Sequence, residues 1–153
     1  MEYLVRPARI TDIDRLYALF AGKGAVPGGD SPLDAISLLR QLVYLPAASV
    51  VLVEGNHQIL GGAVLGLRPS VRSGGYVGTI DVLAVGASSE GEKIADILIE
   101  EMLHSARRKA CTSVEVMLSP DAEYISSWQG HGFAKSAGNT YRAAVAVRAP
   151  TGR

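Results

Sequence analysis

A chain of 153 residues, 48% hydrophobic and 20% charged, is long enough to bury a core and too apolar for a disordered protein. Its 15 basic and 15 acidic residues cancel, so it lacks the basic surface that nucleic acids and anionic lipids attract. We therefore predict a single domain over residues 1–153, with neither a nucleic acid nor a membrane among its partners.

Cysteine, histidine and the N-terminal residues bear on the compartment and on metal chemistry. The one cysteine, Cys111, excludes an internal disulfide, which fits the reducing cytoplasm. The first residues, Met-Glu-Tyr-Leu-Val-Arg-Pro, lack the basic start and apolar stretch of an export signal, so we expect a cytoplasmic protein. His57, His104 and His131 share no ligand spacing, and we therefore predict no metal site.

The first half of the chain alternates between helical and strand patterns. Thr11 is typical of a helix N-cap, with Asp14 at the third position reaching back to its amide. Pro32 is typical of the first turn of a second helix, which should end before Pro46. These signals predict, in chain order, a strand over residues 3–6, helices from residues 11 and 31, strands over residues 49–54 and 58–66 joined by the hairpin signal Glu-Gly-Asn-His, and a polar loop over residues 68–75.

The second half contains the most regular helix of the chain. Residues 91–109 place apolar side chains on one face, namely Ile94, Ile97, Leu98, Met102 and Ala106. Acids stand at the start of this helix and bases at its end, which suits the helix dipole. The remaining predicted elements are strands over residues 76–85 and 113–118, a short helix over residues 120–129 and a last strand over residues 140–147.

The turn between the strand at 76–85 and this helix allows two interpretations. A strand that leads through small residues into a helix N-terminus commonly holds a phosphorylated ligand. However, the turn contains Glu90 and Glu92, and Ser89 with Glu92 forms a capping-box pattern. A helix capped in this way would use its own first amides and leave none for a phosphate.

The chain resembles the GNAT family of N-acetyltransferases from about residue 3 to residue 147. The resemblance rests on the element order β-α-α-β-β-β-α-β-α-β, on Ile-Asp-Val-Leu-Ala-Val before the turn, and on the ending Trp-x-x-x-Gly-Phe. It implies an α/β fold whose mixed, largely antiparallel sheet has six to seven strands, flanked by about four helices and splayed between strands 4 and 5. The implied activity is direct transfer of an acyl group from acetyl-CoA, or another acyl-CoA, to an amine of a small molecule or peptide.

The resemblance also implies the residues that hold the cofactor. The backbone of Leu83, Ala84 and Val85 would bind the thioester and the pantetheine arm. The loop that cradles the pyrophosphate in this family, Gln/Arg-x-x-Gly-x-Gly/Ala, falls on Glu90, Gly91, Glu92, Lys93, Ile94 and Ala95. Glu90 and Lys93 depart from that pattern, and the two acids should weaken binding by about 10-fold to 1000-fold.

Three residues are candidates for catalysis or for the wall of the site. Asp81 stands where the family frequently carries a base, and the alternative is a surface acid paired with an arginine. The family's tyrosine, five residues before the Phe133 of Gly-Phe, is replaced by Trp128, which would border the cofactor or simply fill the core. Tyr124, one turn earlier, is the substitute proton donor.

Two classes of function therefore stay open at this point. The kept loop length, Gly91, Ala95 and Asp81 favour an acyltransferase. The altered loop and Trp128 favour a catalytically silent member of the fold that serves as a regulatory or protein-binding module. A homodimer through exposed sheet edges is compatible with either.

Overall fold

One mixed sheet with helices on both faces makes up the molecule, whose computed structural model describes residues 2–26, 34–88, 90–136, 138 and 140–145. The elements, in chain order, are β1 (Leu4–Pro7), α1 (Ile13–Gly22), α2 (Ala35–Leu42), β2 (Ala48–Gly55), β3 (Gln58–Ser70), β4 (Gly75–Val85), α3 (Gly91–Arg108), β5 (Cys111–Val116) and α4 (Ile125–Gly130). Among the helices of the described residues, none is both long and apolar enough to cross a membrane.

The strands lie in chain order across the sheet, β1-β2-β3-β4-β5. Neighbours from β1 to β4 are antiparallel, whereas β4 and β5 are parallel because α3 forms the crossover between them. The predicted mixed, largely antiparallel sheet is confirmed, with five strands in the described part of the chain instead of six to seven.

The predicted last strand over residues 140–147 is wrong for residues 140–145. These six residues are exposed and carry no strand, and residues 146 and 147 lie outside the described ones. Alternation of Tyr141, Ala143 and Val145 suggested a strand. Strand geometry is stabilised by a ladder partner, however, and the described strands pair none of these residues. The side chain of Arg142 reaches the residue after β5, where its Nη2 lies 3.4 Å from the Met117 sulfur.

Alternation along β2 explains why both faces of the sheet are covered. Val51 and Val53 pack in the core beneath α3, whereas Val50 and Leu52 pack in a second core beneath α1 and α2. Helix α3 supplies its predicted apolar face to the first core, with Ile94, Leu98 and Met102 fully buried and Ile97 and Ala106 alongside them. The helix predicted over residues 91–109 is thereby confirmed.

The β2–β3 hairpin is also confirmed, and β3 is longer than predicted. Asn56 and His57 both adopt positive φ, 51° and 63°, as a tight turn between antiparallel strands requires. The polar loop expected over residues 68–75 is reduced to a turn, because β3 continues to Ser70, which pairs with Gly75. Backbone pairing with β4 therefore extends β3 through the polar residues of this stretch.

Besides β3, four elements have boundaries that differ by two residues or more from the sequence expectations or lack the predicted cap. Helix α2 begins at Ala35 with Asp34 as its N-cap, whose carboxylate accepts a hydrogen bond from the Ser37 amide at 2.8 Å. The predicted start at Ser31 and Pro32 lies outside the described residues. Strand β5 begins and ends two residues earlier than expected, and α4 begins only at Ile125. The fourth difference concerns the start of α1.

A buried carboxylate, Asp12, organises the start of α1. Residues Ile10–Asp12 form a 3-10 turn, and Asp12, not Thr11, precedes the helix. Its carboxylate accepts hydrogen bonds from the Arg9 amide at 2.8 Å and from the Arg6 guanidinium at 2.7 Å and 3.0 Å. Arg15 adds a third donor at 2.9 Å. The predicted Thr11 cap is therefore wrong, because Thr11 lies inside the 3-10 turn and is not the residue that precedes the helix.

Candidate active site

The central strands β4 and β5 separate before β4 ends, and a cleft opens between them. Their parallel register ends at Ile80 and Val116, while β3 stays paired with β4 as far as Val85. Within the described part of the chain, residues 81–85 therefore have a neighbouring strand on one edge only. This is the splay between the fourth and fifth strands that the resemblance implied.

The backbone amides of Leu83 and Val85 point into this opening. The Gly86 amide donates to the Leu60 carbonyl at 2.8 Å, so these two opposed residues form a hydrogen-bonded pair. Hydrogen-bonded pairs alternate along antiparallel strands, so Ala84 also faces β3. The amides of Leu83 and Val85 consequently face the opposite way, toward β5, where the register has already ended.

The cleft has a volume of about 690 Å³, within the range of small-molecule sites. It contains six of the predicted site residues, which are Asp81, Leu83, Ala84, Val85, Tyr124 and Trp128. The rest of its wall was missed by sequence reasoning and consists of Lys23, Gly24, Ala25, Ile80, Val82, residues 116–119, Ala122 and Glu123. These residues come from three separate segments, and only the fold brings them together.

Asp81 occupies a β-bulge at the point where the two strands part. Val82 pairs with Val64 and Ile80 pairs with Leu65, so Asp81 is the extra residue of β4 without a partner on β3. A bulge bends its strand and redirects the side chain at that position. Asp81 thus marks the beginning of the open stretch of β4.

The carboxylate of Asp81 is exposed. Among the described residues, no ion pair to Asp81 is found. The arginine-paired surface acid that the sequence left open is therefore not what the described part of the chain contains. An unpaired carboxylate at a cleft is available to accept a proton from a ligand.

Tyr124 lies against the first residue of α3. It precedes α4 with a left-handed backbone, φ 62°, which is rare for a bulky residue. Its hydroxyl packs so closely on Gly91 that a Cβ built there would lie 2.6 Å from Tyr124 Oη. Burial, and next the charges of Glu123 and Glu92, raise the pKa of the Tyr124 phenol. The phenol is therefore protonated at neutral pH and able to donate.

The first turn of α3 has no side-chain cap from its N-cap residue. The helix begins at Gly91, its N-cap is Glu90, and no Glu90 side-chain oxygen accepts from the helix. The capping box predicted on Ser89 and Glu92 involves Ser89, which lies outside the described residues. The first intrahelical bond runs from the Ile94 amide to the Glu90 carbonyl at 3.1 Å, so the amides of residues 91–93 precede it.

Of the two acids of the turn, Glu90 is partly compensated. Lys93 Nζ lies 3.8 Å from Glu90 Oε2 and 5.3 Å from the centre of the Tyr3 ring on the β1 side of the helix. Burial, together with the hydrogen bond and charge of Glu90, raises the pKa of Tyr3. Glu90 is therefore engaged with Lys93 and Tyr3, whereas Glu92 is exposed.

Trp128, Ile94 and Ala95 are core residues. Trp128 is 3% exposed and packs edge-to-face on Phe133, with the ring centres 5.0 Å apart, while one part of it borders the cleft. Ile94 and Ala95 belong to the face of α3 that packs on the sheet, and their side chains are fully buried. Only their backbone is therefore available to a ligand. Within the described residues, no three His, Cys, Asp or Glu side chains come together as metal ligands.

The comparison with protein-family models identifies one family. The model described as the acetyltransferase (GNAT) family matches residues 13–133. A search of curated proteins gave no significant match.

Three solved structures with the same fold are named as acetyltransferases of different substrates. Glucosamine-6-phosphate N-acetyltransferase from Arabidopsis thaliana has a TM-score of 0.75 at 14% identity, over 94% of this chain and 99% of that one. Ribosomal-protein-alanine N-acetyltransferase from Brucella melitensis biovar Abortus 2308 has a TM-score of 0.73 at 14% identity, over 95% and 100%. An aminoglycoside acetyltransferase from an uncultured soil metagenomic sample has a TM-score of 0.73 at 15% identity, over 95% and 97%. At such identities the likeness shows the fold, and it confirms the predicted one.

Proposed function

Because the chain belongs to the acetyltransferase (GNAT) family, we propose that it transfers an acyl group, in the first instance acetyl, from an acyl-CoA to an amine. The observation that carries the proposal is the cleft between β4 and β5, where two outward backbone amides and an unpaired carboxylate meet. The acceptor is a small molecule or peptide whose amine reaches Asp81.

Backbone groups of β4 hold the reacting end of the cofactor. The amides of Leu83 and Val85 donate hydrogen bonds to the thioester carbonyl and to the pantetheine arm, which lies in the position of an additional strand. A donor fixed in a sheet stabilises the negative charge that develops on the carbonyl oxygen without having to reorganise. No side-chain replacement removes this contribution, so the departures elsewhere in the motif leave it intact.

Asp81 and Tyr124 divide the proton transfers. Asp81 accepts the proton of the acceptor amine, directly or through water, so that the amine can attack. Tyr124, which is kept protonated, donates to the departing thiolate. Trp128 cannot replace it, because an indole N–H donates a hydrogen bond but does not release its proton at neutral pH.

The start of α3 suits a pyrophosphate in geometry and opposes it in charge. The amides of residues 91–93 stand at the positive end of the helix dipole, where phosphates bind. A carboxylate about 5 Å from a phosphate charge costs about 1 kcal/mol in bulk water and about 3 kcal/mol at an effective dielectric constant near 20. Lys93 offsets part of this cost by pairing with Glu90.

Reversing the charge at Glu90 should strengthen cofactor binding. We expect Glu90→Arg to lower the Kd for acetyl-CoA by roughly 10-fold to 100-fold at low salt, because it removes one repulsive charge and adds an attractive one. Glu101→Arg is the matched control, since it makes the same charge change near the far end of α3. Calorimetric titration of both variants measures the difference, and an unchanged or higher Kd for Glu90→Arg would contradict this electrostatic account.

Gly91 should be required for the position of the Tyr124 hydroxyl. We expect Gly91→Ala and Tyr124→Phe each to reduce kcat by about 10-fold, less than most general acids contribute, because a thiolate is a tolerable leaving group. The double variant should lose no more than either single one. Gly130→Ala is the control, because nothing lies within 4 Å of a Cβ at that position. Additive losses in steady-state kinetics would show that the two residues act independently.

Binding and turnover together test the proposed function. Calorimetry with acetyl-CoA at low and moderate salt measures whether the cleft takes the cofactor, and a thiol-release assay with a panel of amines measures transfer. Micromolar binding with amine-dependent thiol release supports the proposal. Failure to bind at millimolar cofactor contradicts it and would leave the silent module that the sequence analysis kept open.

A further inference from the structure

The cleft contains an amine of the protein itself. Lys23, at the end of α1, lines the cleft, and among the described residues of its wall it is the one lysine, with no arginine beside it. Its side chain is partly exposed and ends near the loop that leads to α4, where Nζ lies 3.8 Å from Glu123 Oε1. No step of the proposed transfer uses this residue.

The course of α1 carries Lys23 over the open stretch of β4. Phe20 packs on β3 at Gly62, where a built Cβ would lie 3.3 Å from Phe20 Cε1, and Gly62 is the register partner of Ala84. Residues three apart are neighbours on one helix face, so Lys23 follows Phe20 toward the cleft. Lys23 and Ala84 both line the cleft, so the amine starts from the wall of the same opening that the amides of Leu83 and Val85 face.

The ion pair with Glu123 does not hold the amine in place. The side chains of Lys23 and Glu123 are 35% and 65% exposed, and their charged atoms are 3.8 Å apart, close to the limit for an ion pair. Pairs of this kind contribute at most about 1 kcal/mol. The flexible side chain of Lys23 can therefore pass a proton to Glu123 or to water and then turn away from Glu123 toward the floor of the cleft.

We propose that Lys23 is a self-acylation site, modified by the acyl-CoA bound in its own cleft. This inference rests on the proposed function, which supplies the acyl-CoA. The ammonium of Lys23 gives one proton to Glu123 or water, and the neutral Nζ attacks the thioester carbon. A C–N bond forms, the C–S bond breaks, and the second nitrogen proton ends on the leaving sulfur or in solvent. The products are an amide on Lys23 and free CoA thiol.

Mass spectrometry of the intact protein and its peptides tests this proposal. Purified protein is incubated with acetyl-CoA and no acceptor amine, and acetylation is followed at each lysine over time. We expect one acetyl group at Lys23, with an initial rate at least about 100-fold above that of Lys135, because a bound thioester acts at a high effective concentration. The Lys23 rate should saturate with acetyl-CoA and be independent of protein concentration.

Lys135 is the internal reference, since it is exposed and lies outside the cleft wall. Lys23→Arg should abolish the fast acetylation, and Lys135→Arg should leave it unchanged. Equal rates at both lysines, with acetyl-CoA binding measured by calorimetry, would overturn the self-acylation site while the proposed function stands. A Lys23 rate proportional to protein concentration would also overturn it, since the reaction would then occur between molecules. Absence of binding would instead overturn the proposed function, and this inference with it.

Discussion

Replacing Asp81 by asparagine should lower kcat for acyl transfer by about 100-fold to 10,000-fold. Asparagine keeps the size of the side chain and can still accept a hydrogen bond, but it cannot take a proton from the acceptor amine. Because Asp81 is exposed on a bulge and makes no ion pair within the described residues, the substitution should leave the free energy of unfolding and the acetyl-CoA affinity nearly unchanged.

The pH profile separates a lost base from a disturbed site. A free alkyl amine has a pKa near that of lysine, about 10.4, so the deficit of Asp81→Asn should shrink as the pH approaches this value and the amine loses its proton without help. Glu115→Gln is the matched control, because Glu115 is an exposed acid on β5 outside the cleft wall and pairs with Arg68 at 3.8 Å. Wild-type turnover of Asp81→Asn at neutral pH would remove Asp81 from the mechanism.

Local signals in the sequence were sufficient to predict the elements whose form depends on residues close in the chain. The apolar face of α3 and the turn at Asn56 and His57 depend on residues close in the chain, and both are confirmed. The last strand shows the opposite case. Its alternation at Tyr141 and Val145 was readable, but pairing with a distant strand was not, and residues 140–145 carry no strand.

The cleft was predictable in outline and not in its composition. Resemblance to the family indicated the splay of strands 4 and 5, and with it the stretch from Asp81 to Val85. The bulge at Asp81 depends on the register with β3, which no local pattern encodes. The spacing of Lys23 from Phe20 is readable in the sequence, but its neighbour Glu123 is a hundred residues away in the chain. Assignments of these residues to catalysis and cofactor binding stay predictions.

Removal of the Asp12 carboxylate should have the largest effect on stability. Asp12 is almost completely buried, with its side chain 3% exposed, and Arg6, which donates two hydrogen bonds to it, is 13% exposed. We expect Asp12→Ala to reduce the free energy of unfolding by about 3–5 kcal/mol, because it leaves a buried guanidinium without its main partner. Asp14→Ala is the control on the same helix. Its ion pair with Arg40 is exposed, so its removal should cost less than about 1 kcal/mol.

The dependence of stability on acidic pH tests the contribution of the same carboxylate with Asp12→Asn, which keeps the size of the side chain. Hydrogen bonding from Arg6, against the opposing effect of burial, lowers the pKa of Asp12 from 3.8 to about 2. A carboxyl group whose pKa is lower in the folded state stabilises that state when the pH is above its unfolded-state pKa. This contribution is lost as the pH falls through its folded-state pKa. We therefore expect the free energy of unfolding of the wild type, measured by urea titration, to fall by about 2 kcal/mol more between pH 4 and pH 2 than that of Asp12→Asn. Equal slopes for wild type and variant over that interval would mean that other carboxylates control acid unfolding, and that Asp12 stabilises the start of α1 through its hydrogen bonds and not through its charge.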